Sequence, residues 1–486
     1  MVNFKLLNKQ YISGEWKDGT SNRQLVDFNP YNNEIITTFT CASLKDVDEA
    51  YQSAKKAQKK WQHTNPIEKR AVFENAVKYI EENKESIENI IIEELGGTKL
   101  KAAFEIDLVI NIIKEASTYP FRMEGKILPS PVDGKENRLY RIPVGVVGVI
   151  SPFNFPFFLS MKSVAPALGA GNGVVLKPHE HTPITGGTLI AKIFEEAGLP
   201  KGLLNVVVTE IEEIGDGFIE HPIPRVISFT GSSKIGKHIG EVAGRHLKKV
   251  SLELGGNSAL IVLDDADIDL AVSAAVFSRF THQGQICMSA NRIIVHEKVY
   301  DEFLTKYVRK VASLKCGDPR DPETIIGPLM NERQVQTIVN LIETGIKEGA
   351  TPILKGEVKG NVVEPVIFTD VTPDMTIAKE ELFGPVVCIM KVENDQQAIE
   401  YANSSDFGLS GAIHTSNIER GAEMAKQIET GMIHINDGTI NDEPVVAFGG
   451  EKNSGLGRLN GSWSLDAFTT LKWISIQHTP RKYPYS

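Results

Sequence analysis

The sequence predicts an α/β protein built as two doubly wound units with a small β arm. Three observations carry that prediction. From residue 144 onward, short apolar runs alternate with helical stretches, the rhythm of parallel strands joined by helices. A second series with the same rhythm begins after Glu253. Two β-prone segments, 125–143 and 468–486, belong to neither series.

The first third is expected to be helical after an extended start. Ser43 and Asp46 have capping-box spacing ahead of Val47, Ala50, Tyr51 and Ala54, an apolar stripe of helical period. Asn65-Pro66 opens a second helix with proline at its first position. Gly96-Gly97 ends a third, and Thr98 starts a longer one running towards Tyr119. Strands are then expected at 144–150, 174–176, 204–208 and 226–229, with helices at 157–168, 186–197 and 233–242 between them. The second series runs through strands at 259–262, 293–295, 386–390 and 433–435, with a helix ending at Arg279 and another starting at Val299. The division that follows is 1–124 with 144–250 as one unit, 251–467 as the other, and 125–143 with 468–486 as the arm. Those arm segments read either as a surface hairpin plus a C-terminal strand, or as an edge that pairs with another subunit.

A chain of 486 residues has room for roughly three domain-sized units at ~150 residues each. Hydrophobic residues at 41% and charged ones at 23% are ordinary for a globular enzyme and argue against disorder. A net charge of −10 disfavours nucleic acid or an anionic membrane as partner, since both call for a basic face. The start lacks the apolar core of a signal peptide, and no run approaches the ~18 apolar residues of a membrane span. Cys41, Cys287, Cys316 and Cys388 stand far apart with no C-x-x-C pair, so neither a disulfide framework nor a metal site is expected. The expectation is a cytoplasmic protein with reduced thiols.

Three places invite a chemical reading. Cys287 follows a polar, glycine-containing approach, Phe280-Thr281-His282-Gln283-Gly284-Gln285-Ile286, unlike a core helix. A lone cysteine is most often a small buried hydrophobe, and a nucleophilic thiol needs a base or a favourable field. Glu253 ends an apolar strand beside Gly255-Gly256; it reads as a capped structural carboxylate or as a base poised by burial. Phe229-Thr230-Gly231-Ser232-Ser233-Lys234-Ile235-Gly236 follows a strand and opens a helix, the order that places free N–H groups at a pyrophosphate, although its spacing is not G-x-G-x-x-G. Gly169-Ala170-Gly171-Asn172-Gly173 precedes a strand and reads as a helix exit, and the Gly449–Gly457 stretch carries no ligand logic of its own.

Taken together, seven motifs in order resemble the aldehyde dehydrogenase superfamily over nearly the whole chain. They are Ser151-Pro152-Phe153-Asn154-Phe155-Pro156, Leu176-Lys177-Pro178-His179-Glu180, Phe229-Thr230-Gly231-Ser232, Glu253-Leu254-Gly255-Gly256, Gly284-Gln285-Ile286-Cys287, Glu381-Leu382-Phe383-Gly384-Pro385 and Phe448-Gly449-Gly450. The resemblance implies the aldehyde dehydrogenase-like fold, with a dinucleotide-binding unit, a catalytic unit and an oligomerisation arm. It implies Cys287 as the nucleophile that forms a thiohemiacetal and then a thioester, and Glu253 as the base for the hydrolytic water. Asn154, with the Cys287 N–H, resembles the oxyanion hole. Lys177 and Glu180 resemble the holders of an adenosine ribose, and a carboxylate there repels a 2′-phosphate, which implies NAD in preference to NADP. Gly231, Ser232 and Gly236 resemble the pyrophosphate turn, and Glu381 with Phe383 the nicotinamide-ribose contact. A homodimer or homotetramer is implied as the active form.

Two departures set the chain apart. Many members of the family carry a lysine where this chain has Ser163, with Lys162 one residue earlier, and a glutamate where it has Leu459. Both residues of that proposed proton relay are missing together. These departures and the surroundings of Cys287 resemble the bacterial benzaldehyde and vanillin dehydrogenase branch, which implies an aromatic aldehyde in a pocket of Phe155, Leu159, Ile286, Met288 and the loop 439–443. Apolar walls equally suit aliphatic aldehydes or semialdehydes. Competing readings are a CoA-acylating enzyme, which would lack Glu253; a non-catalytic binding or structural member; and a Cys-His hydrolase using His282.

Overall fold

The computed structural model describes residues 3–485; Met1, Val2 and Ser486, at the outer ends of the expected first unit and arm, lie outside the described residues. The helical first third forms as the caps predict. Ser43 caps Leu44–Trp61 with the full capping box, and Asp46 also accepts from the N–H and hydroxyl of Thr20. Asn65 caps Pro66–Glu82, Gly96 ends Lys84–Leu95 at φ 66°, and Thr98 caps Lys99–Ala116. The buried faces of the last three join the largest apolar cluster, which also takes residues of the first sheet, while the Leu44–Trp61 helix packs chiefly in a separate cluster with Val146, Val175 and Phe218.

That sheet has eight strands in the order Glu15–Lys17, Gln10–Ile12, Leu204–Val206, Gly173–Lys177, Val146–Ile150, Val226–Thr230, Lys249–Glu253, Gly455–Leu456. The five from Leu204–Val206 to Lys249–Glu253 are parallel. Both faces of the central ones are covered, which is why they read as unbroken apolar runs. The chain begins winding at Val146–Ile150, moves outward to one side, then crosses to Val226–Thr230 on the other. A crevice therefore opens at the carboxyl ends of those two strands, where doubly wound sheets bind ligands.

A second sheet of seven strands runs Thr351–Lys355, Val366–Thr369, Val386–Val392, Ala290–His296, Ser258–Val262, Gly411–His414, His434–Ile435, parallel except for the first. The boundary expected at 250/251 falls inside the Lys249–Glu253 strand, whose Glu253 is in register with Thr230. The passage between sheets lies at 254–257 instead. Apolar alternation marks a strand without saying which sheet it joins, and pairing decides that. The second unit also returns Gly455–Leu456 to the edge of the first sheet, antiparallel to Lys249–Glu253.

The segments left over in sequence meet each other. Thr469–Gln477 pairs antiparallel with Lys135–Pro143 over nine residues, and Gly125–Leu128 completes a three-stranded sheet. Ile127, Leu471, Trp473 and Ile474 stand exposed on it, Trp473 at 63%. Among the described residues no helix is long and apolar enough to cross a membrane.

Candidate functional site

Four strand ends of the first sheet deliver the predicted residues to one crevice. Val146–Ile150 runs into Asn154, Gly173–Lys177 into Glu180, Val226–Thr230 into Ser232, and Lys249–Glu253 ends on Glu253 itself. From the second unit come the Cys287 loop and Glu381. Gly255 and Gly256 are the seam between them. A Cβ on Gly255 would stand 2.6 Å from Glu381 Oε2, and one on Gly256 would strike the Cys287 carbonyl. Only glycine lets the chain pass between the Cys287 backbone and the Glu381 carboxylate there, which gives the motif after Glu253 its physical reason.

The Cys287 loop is held in an unusual shape. His282, Gln283 and Gly284 all have positive φ, 50°, 56° and 77°. Two non-glycine residues in that region are costly and persist only where surrounding contacts fix them. Gln283 Nε2 donates to the Pro328 carbonyl at 2.8 Å, and Gly284 packs against Arg279, buried at the end of the Ile268–Phe280 helix. Its guanidinium donates to the carbonyls of Leu382 and Gly384, to Asn291 Oδ1, and to Ser289 Oγ at 3.2 Å. It thereby ties the chain just after Cys287 to the Leu382–Gly384 segment. Sequence reading missed Arg279. The one signal available was a charge closing an otherwise apolar helix.

Asn154 Nδ2 donates to the Gln285 carbonyl at 2.9 Å. An amide has two N–H donors, so one remains for an oxyanion beside Cys287. The Cys287 thiol is pushed up to about 12, first by burial and then by the charges of Glu381 and Glu253, with Lys162 opposing. It rests protonated. Glu253 is pushed up to about 8 by burial; Lys162 pulls it down, Asp442 up, and Arg458 down. Among the described residues neither of its carboxylate oxygens has a hydrogen-bond partner. The Gly449 loop, which had no ligand logic in sequence, closes over this carboxylate: a Cβ on Gly449 would lie 3.2 Å from Glu253 Oε1.

Glu381 accepts the Gly256 N–H at 3.0 Å and is raised by burial to about 7. Phe383 stands edge-on to Phe153, centroids 5.9 Å apart, and Phe153 in turn to His179 at 5.3 Å. Lys177 is buried with its ammonium on the Pro178 carbonyl at 3.5 Å, and burial lowers its pKa. An ammonium so poorly solvated fits a hydroxyl-bearing ligand. Glu180 is half-exposed at the rim; burial raises its carboxyl, but His179 and Lys177 outweigh that and hold it below the usual range. Ser232 caps the Ser233–Arg245 helix, accepting from the Ile235 N–H at 3.4 Å. Gly231 and Gly236 are brought to the same turn in packing positions. The Gly231 N–H is committed to the Glu253 carbonyl at 3.0 Å, and Gly236 lets the helix approach Leu254.

Phe155, Ile286 and Met288 are buried in the apolar cluster that Cys287 and Leu159 pack against. Thr439 joins the 439–443 loop to this wall by donating to the Met288 carbonyl at 2.6 Å. Phe448, Ile440 and the ring of Phe104, edge-on to Phe155 at 6.4 Å, extend it. His282 does not serve the thiol. Its ring packs edge-on to Phe155 at 5.5 Å, and burial with Lys101 nearby holds it well below its ordinary pKa, with the Asn154 backbone opposing. That removes the thiol-hydrolase reading. At the vacated relay positions, Ser163 shares a hydrogen bond with Ser228 at 2.9 Å, and Leu459 is buried in backbone pairing with Phe448.

A nucleotide-binding type of sheet, with an unbonded carboxylate at its carboxyl edge and a partly buried thiol beside it from the second unit, defines the class. The aldehyde dehydrogenase family model matches residues 16–474, and the chain belongs to that family. It is 67% identical over 485 residues, the whole of both chains, to benzaldehyde dehydrogenase YfmT of Bacillus subtilis. It is 50% identical over 473 residues to a vanillin dehydrogenase of Corynebacterium glutamicum, covering 97% of this chain and 98% of that one. The crystal structure of an NAD-dependent benzaldehyde dehydrogenase from C. glutamicum superposes with TM-score 0.90 at 47% identity, covering 97% and 98%. The family and the branch inferred from the motifs are those found.

Proposed function

We propose that this chain oxidises aromatic aldehydes of the benzaldehyde and vanillin type to carboxylic acids, using NAD and a covalent intermediate on Cys287. The observation that carries the reading is that Glu253, with no hydrogen bond on either oxygen among the described residues, lies close enough to Cys287 for its charge to act on the thiol. Cys287 Sγ adds to the aldehyde carbon as its proton passes to solvent water, and the Asn154 amide with the Cys287 N–H receives the oxyanion. NAD, when bound, supplies the acceptor for the hydride that leaves the former aldehyde carbon. Lys177, Glu180, Ser232, Glu381 and Phe383 would hold it, and Glu180 favours a free ribose over a phosphorylated one. Glu253 then takes a proton from water as the oxygen attacks the thioester carbon and Cys287 is released. The aromatic preference rests on the apolar wall of Phe155, Leu159, Ile286 and Met288 and on the named substrates of the relatives. The protein works in the cytoplasm as a homodimer or homotetramer paired through the exposed apolar strands of the arm.

The test is NADH formation with benzaldehyde, vanillin and a straight-chain aldehyde, using wild type beside Cys287→Ala. Loss of turnover in the variant, by at least ~10³-fold, with aromatic substrates favoured, is expected. Turnover surviving the substitution overturns the role of Cys287, and preference for the straight chain overturns the substrate class.

A further inference from the structure

The helix Pro156–Gly169 carries one charged side chain, a buried ammonium, among apolar residues and two small serines. Lys162 is ion-paired with Asp442 of the mouth loop, with side-chain exposures of 2% and 5%. Its Nζ lies 3.4 Å from the centroid of the Phe448 ring and 5.5 Å from that of Phe158. Asp442 is itself fixed: its Oδ1 accepts from Asn460 Nδ2 at 2.8 Å, and the same amide donates to the Glu443 carbonyl at 2.8 Å. Phe448 is followed directly by Gly449, the residue that abuts the Glu253 carboxylate. An ion pair with this little solvent is an expensive structure, since removing two charges from water offsets most of their attraction. An apolar pair of the same volume would pack as well, so the charges point to a role beyond packing.

We propose that the Lys162–Asp442 pair is the positioning element that sets the ionisation of Glu253 for thioester hydrolysis, in place of the side chains absent at Ser163 and Leu459. The proposal rests on the reading of Glu253 as the hydrolytic base. The charged and titratable groups facing that carboxylate are Lys162 from the helix, Asp442 from the mouth loop, Arg458 beyond the edge strand and the Cys287 thiol. Arg458 is turned outward: it bonds the carbonyls of Gly450 and Gly457 and the carboxylate of Glu451. Lys162 favours the carboxylate form and Asp442 opposes it, so the pair acts as a short dipole with its positive end dominant. Asp442 moderates Lys162 and anchors it on the pocket loop. Neither residue hydrogen-bonds Glu253, which leaves its oxygens free for water.

The test follows the Glu253 carboxyl directly, as the infrared difference between each protein and its own Glu253→Gln counterpart across pH. The acyl-enzyme decay is followed in parallel by rapid quench in single turnover. Neutralising Lys162 removes the stabilising charge. Lys162→Met therefore moves both midpoints up by about one pH unit, whereas Asp442→Asn moves both down. Lys162→Arg restores the wild-type midpoint, and the neutral pair Lys162→Met with Asp442→Asn covers the case in which one single variant fails to fold. Opposite displacements are a signature that mere loss of packing does not produce. Displacement of both single variants in one direction, or of neither, overturns the proposal. If Glu253→Gln alone hydrolyses its acyl-enzyme at the wild-type rate, the reading of Glu253 as base fails, separately from the role of the pair.

Discussion

Arg279 and Glu253 are both buried ionisable groups around the Cys287 loop, one from each unit, and the protein treats them in opposite ways. Arg279 is surrounded by acceptors: two backbone carbonyls, an amide oxygen and a hydroxyl. Glu253 has no hydrogen-bond partner on either oxygen among the described residues and is pushed up to about 8. A buried charge solvated by fixed dipoles is scaffold, because every one of its bonds favours one arrangement. A buried carboxyl left without bonds sacrifices stability in exchange for reactivity, since no hydrogen bond locks it in one protonation state. The second unit thus supplies rigidity around the thiol and the first supplies a titratable group.

The largest effect that would test this contrast is on stability. Arg279→Leu strands the carbonyls of Leu382 and Gly384 and frees a loop with two non-glycine residues at positive φ. A loss of about 3–5 kcal/mol is expected, read by urea unfolding, as when one partner of a buried network is removed. Wild-type stability in this variant would mean the loop holds its shape without the guanidinium, and the contrast would collapse.

How much of this was legible beforehand divides along the same line. Local chemistry was readable: the Ser43–Asp46 capping box, Pro66, the Gly96 stop and the strand–turn–helix at Ser232 all formed where their residues placed them. Glu253, Cys287 and Asn154 were visible through motif resemblance, and the structure brings them to one crevice. What sequence hid is long-range. Arg279 meets Gly384 across 105 residues, Lys162 meets Asp442 across 280, and the Gly455–Leu456 strand joins a sheet whose adjacent strand ends at Glu253. No periodicity encodes such pairings. Lys162 was nonetheless conspicuous as a single charge in an apolar helix, and the Gly449 loop as a stretch of glycines without a ligand. Both belong to the surroundings of Glu253.

Asn154 stands between the two extremes and sharpens them. One of its amide protons is committed to the Gln285 carbonyl, in the manner of Arg279, and the other is uncommitted, in the manner of Glu253. Asn154→Ala should therefore split its effects. Loss of the oxyanion donor lowers kcat by about 10²–10³-fold, equivalent to about 2.7–4 kcal/mol. Loss of the structural bond costs only about 1 kcal/mol of stability. Steady-state kinetics and thermal unfolding of the same preparation check both numbers. A variant crippled in stability but normal in kcat would move Asn154 to the scaffold side.

The smallest effect concerns what Glu253 takes from the fold. Its carboxyl has an ordinary value of 4.5 and is raised to about 8 in the folded chain. Between those values the native state holds a proton that the unfolded chain has released, so stability falls as pH rises through this window. Below it both states are protonated and nothing is lost; above it the full penalty applies. Glu253→Gln cannot ionise and escapes the penalty. Its advantage over wild type should grow by about 2 kcal/mol between about pH 6 and about pH 8, measured by denaturant unfolding at each pH. The same variant should form acyl-enzyme and fail to hydrolyse it, so it gains stability by losing chemistry. An advantage that stays flat over that range would mean the Glu253 carboxyl is solvated in the native state, and the unbonded oxygens would then carry no stored cost for catalysis to draw on.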